Sequence, residues 1–218
     1  MGTERIEKSS RMLPENTELQ LVEQLKYVGR GGLKMENFLT DSGYKVAGLH
    51  ILDLGASTGG FTDCLLQQGA SEATCVDVGH GQLHYRLRTD ERVHNFEKTN
   101  LRNITPQDIP DCPFPFIVMD LSFISLRKVL PAAWSFLAPR GKIISLVKPQ
   151  FECKKEEADS GKGIIRDPEI HKRVLNEIKQ FAKTNLSGSS LLAEKSARPQ
   201  GTDGNQEFFL CWEKKTTA

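Results

Sequence analysis

The feature that most constrains this chain is an alternation. Short apolar runs, "LHILDLG" (49–55), "EATCVDV" (72–78), "VHNFEK" (93–98), "PFPFIVMDLSF" (113–123) and "KIISLV" (142–147), are separated by stretches with helical patterning at 57–70, 80–90 and 124–137. The greasiest run, Ile143 to Val147 broken only by Ser145, reads as a strand buried on both faces. Strands joined through helices run parallel, and a parallel sheet needs helices on both faces. The expected fold class is therefore α/β with a mostly parallel sheet. Asp167 and Pro168 supply a cap and a first-turn proline for a helix over 168–184. Two last strands are expected at 189–197 and 207–213, after a long polar loop over 151–166. Upstream, "VGRGGLKMENFLTDSG" (28–43) reads as a Gly-rich turn entering a helix, and 14–28 as a further helix capped by Asn16 or Thr17.

Composition excludes several function classes. The 218 residues are 38% hydrophobic and 26% charged, as in an ordinary globular domain. No apolar run approaches the roughly 18–20 residues of a membrane span, and the N-terminus lacks the apolar core of a secretory signal. The five cysteines (64, 75, 112, 153, 211) form no C-x-x-C pair, so neither a disulfide framework nor a zinc knuckle is indicated, and no metal is expected. Free thiols suit a reducing compartment, so the cytoplasm is expected. Net charge is +1, so any nucleic-acid face must be local. The stretch 79–102 carries five Lys or Arg and three His against three acids, although it also reads as a solvated helix and loop.

"LDLGASTGGFTD" (52–63) is the most informative stretch. A buried strand ends at Asp53, and then Gly55, Gly59 and Gly60 crowd a turn that opens a helix. Such glycines allow close backbone approach to a ligand, at the sheet edge where open α/β folds bind ligands. The pattern is not the dinucleotide fingerprint and lacks the P-loop lysine. A carboxylate before the loop suits a cationic ligand better than a pyrophosphate. Asp77, at the end of the second strand, is placed to bond ribose hydroxyls.

A second oddity is "KIISLVKPQFE" (142–152), where a charge, Lys148, closes a greasy strand just before Pro149. By itself Lys148 reads as a lysine snorkelling to water. Lys34 reads as a solvent lysine and Glu207 as a strand-start acid. Phe208 and Phe209 read as core. Phe123 and Phe151 also read as core, although either is capable of stacking on a base.

Taken together, "YVGRGGLKM", "LDLGASTGGFTDCLL", "VDVGHGQL", "MDLSFISL", "LVKPQFE" and "GNQEF" resemble the TlyA-type, so-called hemolysin A, branch of the FtsJ-like S-adenosylmethionine-dependent rRNA 2′-O-methyltransferases. The resemblance runs over residues 27 to 213, in order. It implies a Rossmann-like class I methyltransferase fold: a mostly parallel seven-stranded sheet, helices on both faces, an antiparallel last strand. It implies catalytic residues Lys34, Asp120, Lys148 and Glu207. It implies that S-adenosyl-L-methionine is held by Asp53, Gly55, Ala56, Ser57, Gly59, Gly60, Phe61, Asp77, Val78, Asn100 and Asp120. Arg30, Arg86, Arg88, Lys154 and Lys155 are candidates for RNA contact, with ribosomal RNA or ribosomal subunits as partner. Full-length family members carry a small RNA-binding module in front. Here residues 1–26 precede the first motif, so they are expected as an N-terminal extension or linker remnant before a domain over 27–218.

The chemistry accounts for these residue types. A sulfonium methyl is already activated; what remains is to aim an oxygen in line and remove a proton from a poor acid as attack proceeds. A lysine acts as base only where burial and a neighbouring cation lower its pKa. Lys148 is therefore expected as general base or oxygen-orienting donor, with Asp120 orienting it near the methyl and Lys34 and Glu207 completing the network. The alternatives are a non-catalytic RNA- or adenosine-binding module, a membrane-lytic protein, disfavoured by the lack of a span or a basic amphipathic helix, and a nicotinamide-dependent oxidoreductase, disfavoured by the glycine pattern.

Overall fold

The structure is a computed structural model that describes residues 12–14, 17, 26–201 and 203–216. Its centre is one seven-stranded sheet. The strands are β1 (His50–Leu54), β2 (Glu72–Val76), β3 (Val93–Phe96), β4 (Phe114–Met119), β5 (Leu137–Val147), β6 (Ser189–Ser196) and β7 (Phe208–Lys214). Their order is β3-β2-β1-β4-β5-β7-β6, and β7 runs antiparallel to both of its neighbours while the other pairings are parallel. The chain first builds outward from β1 to β3 and then returns to place β4 on β1's other side. That reversal opens a crevice beyond the C-terminal ends of β1 and β4, where such sheets bind ligands.

Side-chain alternation sends each central strand into two cores. Leu52, Leu54, Ile117, Met119 and Ile143 face one layer, formed by α4 (Leu130–Ser135) and α7 (Pro168–Asn185). Ile51, Cys75, Val118 and Ile144 face the other, formed by α1 (Arg30–Ser42), α2 (Gly60–Gln67) and the Leu83–Leu87 segment that contains α3 (Tyr85–Arg88). These strands are buried on both faces, so they lack a polar alternation.

Several elements differ from the sequence expectation, each for a local reason. The helix expected over 14–28 falls mostly outside the described residues, and 26–29 is a bend. The helix expected over 80–90 shrinks to α3, where Gly81 takes a left-handed φ of 67° and the His84 ring accepts the Arg86 N–H as a cap. The helix expected over 124–137 is split into a 3-10 turn, Leu126–Lys128, and α4; Pro131 lacks the N–H that would join them. The strand expected over 113–123 ends at Met119, and β5 reaches back to Leu137 across a register shift opposite Phe114–Phe116. The loop over 151–166 holds two short helices, α5 (Pro149–Glu152) and α6 (Lys155–Ser160).

Candidate active site

The first strand delivers a carboxylate to the crevice. Asp53 is 1% exposed. Its Oδ2 accepts the Thr62 N–H at 3.2 Å and the Thr62 hydroxyl at 2.7 Å, while Oδ1 has no partner. Burial pushes its carboxyl up to about 7 against those two hydrogen bonds, with Asp120 and Asp77 adding repulsion. A buried, half-satisfied carboxylate is costly unless a donor or cation arrives.

The loop after β1 wraps a narrow cavity of about 90 Å³ lined by Gly31, Asp53, Gly55, Ala56, Ser57, Thr58, Gly60, Phe61 and Asp120. Gly55 adopts φ 85°, and a Cβ there would stand 2.7 Å from Leu121 Cδ2 and 3.0 Å from the Asp120 carbonyl oxygen. At Gly60 a Cβ would meet Gly32 N at 3.0 Å and Gly31 Cα at 3.3 Å, so glycines let the first turns of α1 and α2 abut. Two helix N-termini, with their partial positive charge, thus flank a pocket floored by carboxylates. That combination suits a zwitterionic amino-acid group: its carboxylate at the helix ends, its ammonium toward the orphaned Asp53 Oδ1. Asp53 and Asp120 also suit a sulfonium cation. The residues present therefore fit S-adenosylmethionine.

The remaining expected cofactor residues spread outward from this pocket. Asp77 accepts the Ser57 N–H at 2.8 Å and the Gly79 N–H at 2.7 Å, which ties the β2 end to the glycine loop. Val78 beside it is 68% exposed, an apolar surface open to a flat ring. Gly59 faces Leu83 and Leu87 rather than the cavity. Asn100 caps its own turn by accepting the Arg102 N–H, and it lines no part of the cavity.

At the far side of the crevice two lysine–carboxylate pairs stand next to each other. Lys34 of α1 meets Glu207 at 2.5 Å, Nζ to Oε2, and both residues are buried. Lys148, just past β5, lies 2.6 Å from Asp120 Oδ1. Its directed hydrogen bond goes instead to Ser122 Oγ at 2.8 Å, so Asp120 Oδ1 accepts no well-angled bond. Val147 pairs with Phe208 across β5 and β7, so Lys148 and Glu207 follow as neighbours at the same edge. Pro149 opens α5 and ends the strand there.

Three supporting residues were not singled out in the sequence. Ser122 receives the Lys148 bond. Glu152, 5% exposed, accepts the Leu126 N–H and the Ser125 hydroxyl, each at 2.6 Å, and so clamps the segment after Asp120 onto α5. Its burial raises the carboxyl above its usual range, while those bonds and Arg127 oppose the rise. Asn205, 2% exposed, accepts the Ile165 N–H and donates to the Gly163 carbonyl, both at 2.9 Å, pinning the loop before α7 beside Glu207. Phe123 departs from its expected core placement. It is 89% exposed with φ 62°, its ring centroid 5.1 Å from that of the half-buried Phe151. A strained, solvent-facing aromatic three residues after Asp120 offers a stacking face at the mouth of the site.

The candidate RNA residues lie on three separate elements. Arg30 starts α1 and donates to the Gln200 carbonyl at 3.0 Å. Arg86 and Arg88 lie on α3, which is tied to the glycine loop by the His84 N–H to the Thr58 carbonyl. Lys154 and Lys155 begin α6. A larger groove of about 720 Å³ runs along α7, away from the crevice, and its Arg127, Arg173 and Glu177 are already paired with one another.

The family model described as FtsJ-like methyltransferase matches residues 27–214. The chain belongs to the FtsJ-like methyltransferase family. Within it, the chain is similar to the 16S/23S rRNA (cytidine-2′-O)-methyltransferase TlyA of Mycobacterium tuberculosis, at 42% identity over 84% of this chain and 67% of that one. It is also similar to the Brachyspira hyodysenteriae protein named Hemolysin A, at 38% identity over 94% of this chain and 84% of that one. Against the Bacillus subtilis relative YqxC it is 44% identical and covers 85% of its own length but 65% of the relative's, so it spans about two thirds of that protein. A solved Lactococcus lactis structure superposes with a TM-score of 0.83 at 39% identity, covering 88% of this chain and 90% of that one. A Listeria monocytogenes methyltransferase structure, at 16% identity and a TM-score of 0.59, shares the fold. The class I methyltransferase fold expected from the motifs is thus the one found.

Proposed function

We propose that this FtsJ-like chain transfers a methyl group from S-adenosylmethionine to a ribose 2′-hydroxyl of ribosomal RNA. One observation carries the reading: the open Lys148–Asp120 pair stands beside the closed Lys34–Glu207 pair, on the crevice that also holds the half-satisfied Asp53. The relatives named as rRNA (cytidine-2′-O)-methyltransferases support the substrate class.

Bound S-adenosylmethionine supplies an activated methyl group. The residues of the chain do the rest. Asp53 holds the ligand's ammonium, and the α1 and α2 N-termini hold its carboxylate. Asp77 receives ribose hydroxyls, and Val78 carries the adenine. Lys148, fixed by Ser122 and Asp120, meets the attacking hydroxyl and sets its line to the methyl. As the oxygen takes the methyl group, its proton passes to Asp120 Oδ1, which accepts no directed bond, or to Lys148 Nζ in its neutral amine form, and from there to solvent. Phe123 stacks on a base next to the target ribose, and Arg30, Arg86, Arg88, Lys154 and Lys155 attract the phosphates. Positioning supplies much of the rate, because the hydroxyl is a far weaker acid than any side chain near it.

An rRNA substrate and five unpaired cysteines both suit the cytoplasm. For the membrane-lytic reading, no helix among the described residues is long and apolar enough to cross a membrane. The test is transfer of labelled methyl to ribosomal subunits. Labelled 2′-O-methyl nucleosides support the proposal, and label on a base or on protein counts against it. Replacing Lys148 by Arg then separates its roles: a near-native pH–rate profile removes Lys148 from the proton step.

A further inference from the structure

The opposite end of the sheet carries a cluster that methyl transfer does not use. His50 opens β1, Glu72 opens β2, and His94 is the second residue of β3. His50 pairs with Glu72 across β1 and β2, and Thr74 with His94 across β2 and β3. Register partners share a face and alternate residues repeat it, so all four side chains project from one side of the sheet. His50 Nε2 lies 2.8 Å from Thr74 Oγ1, and His94 Nε2 lies 2.8 Å from Glu72 Oε2. The ligand atoms of His50, Glu72 and His94 all lie within 4.8 Å of one another. Phe114 braces the His50 ring edge-on at 5.1 Å, while the side chains of Glu72 and His94 remain 47% and 42% exposed. The cluster is thus fixed on its inner side and open to water on the other.

Two imidazoles and one carboxylate select zinc-class ions over magnesium or calcium, which prefer all-oxygen shells.

We propose that His50, Glu72 and His94 bind one divalent transition-metal ion of the zinc class, which ties together the N-terminal ends of β1, β2 and β3. Ligand bonds of about 2.1 Å require only a small closing of the triad, by side-chain rotation. Water fills the remaining position on the exposed side. The ion anchors β3, a four-residue strand at the sheet edge with a single neighbour.

Chelator-treated full-length chain titrated with ZnCl2 tests this. One equivalent binds saturably, the unfolding midpoint rises, and Co2+ gives the visible bands of a low-coordinate site. His94→Ala and Glu72→Gln each weaken zinc binding by at least about tenfold, on the scale of lost metal-site partners, and abolish the rise in midpoint. Cys112→Ser and Cys153→Ser leave both intact. The triad side chains are partly exposed, and the near-isosteric Glu72→Gln carries the test should His94→Ala fail to fold. No binding, binding that survives both triad substitutions, or binding lost with Cys112→Ser or Cys153→Ser overturns the proposal and leaves the triad a hydrogen-bonded link between strands.

Discussion

The two lysine–carboxylate pairs at the catalytic edge use the same chemistry in different settings. Lys34 and Glu207 are 173 positions apart, closed off from water, and tie α1 to the start of β7. Lys148 and Asp120 sit more open, with Asp120 side-chain exposure of 25% and an oxygen that accepts no directed bond. A closed pair holds the site in shape, because breaking it leaves a buried charge. An open pair, with a lysine steadied by Ser122, is available to a substrate hydroxyl. On the function proposed, these four charged residues divide into frame and reagent.

The largest effect expected is on the reagent pair. Lys148→Ala lowers methyl transfer by about 10²–10⁴-fold, with unchanged affinity for S-adenosylmethionine by calorimetry. Next comes the frame pair. Glu207→Gln or Lys34→Met each costs about 3–5 kcal/mol of unfolding free energy by denaturant titration, while replacing both by apolar residues restores much of it. If Lys34→Met instead left stability intact and abolished turnover alone, the division would fail. Third, Phe123→Ala weakens RNA binding by about 1–3 kcal/mol and leaves cofactor affinity unchanged.

The smallest effect is a pH dependence. The ligand ammonium needs ionised Asp53, so cofactor affinity rises toward pH about 7 and falls by at most about tenfold per unit below it. The sign for stability is opposite. Between the ordinary carboxyl range and pH about 7 the ligand-free fold holds a proton that the unfolded chain releases, so its stability falls as pH rises through that window. Asp53→Asn removes both slopes and weakens binding throughout.

Much of the frame was legible in the sequence. The apolar runs that became β1, β2, β4 and β5 are buried on both faces, and such strands have little freedom to be anything else. The glycine loop, and the lysine that closes β5, pointed to the sheet edge where both are found. What escaped has a physical pattern. The 124–137 stretch looks like one helix by periodicity, but Pro131 divides it. Phe123 looks like core by composition; only its left-handed backbone exposes it. Ser122, Glu152 and Asn205 are polar residues whose meaning lies in partners far along the chain: Glu152 grips the backbone 26 positions away and Asn205 grips it 40 away. The His50–Glu72–His94 cluster was invisible as a motif because each ligand sits on a different strand.

The most direct measurement is methyl transfer to ribosomal subunits by the wild-type chain and by Lys148→Ala, with and without an RNA-binding module fused in front, and the product nucleosides separated. The account predicts 2′-O-methyl nucleosides from the wild type. It predicts ribose methylation lowered by about 10²–10⁴-fold in Lys148→Ala, although that variant still binds S-adenosylmethionine. Equal ribose methylation by both proteins, or methyl groups found only on bases, would contradict it.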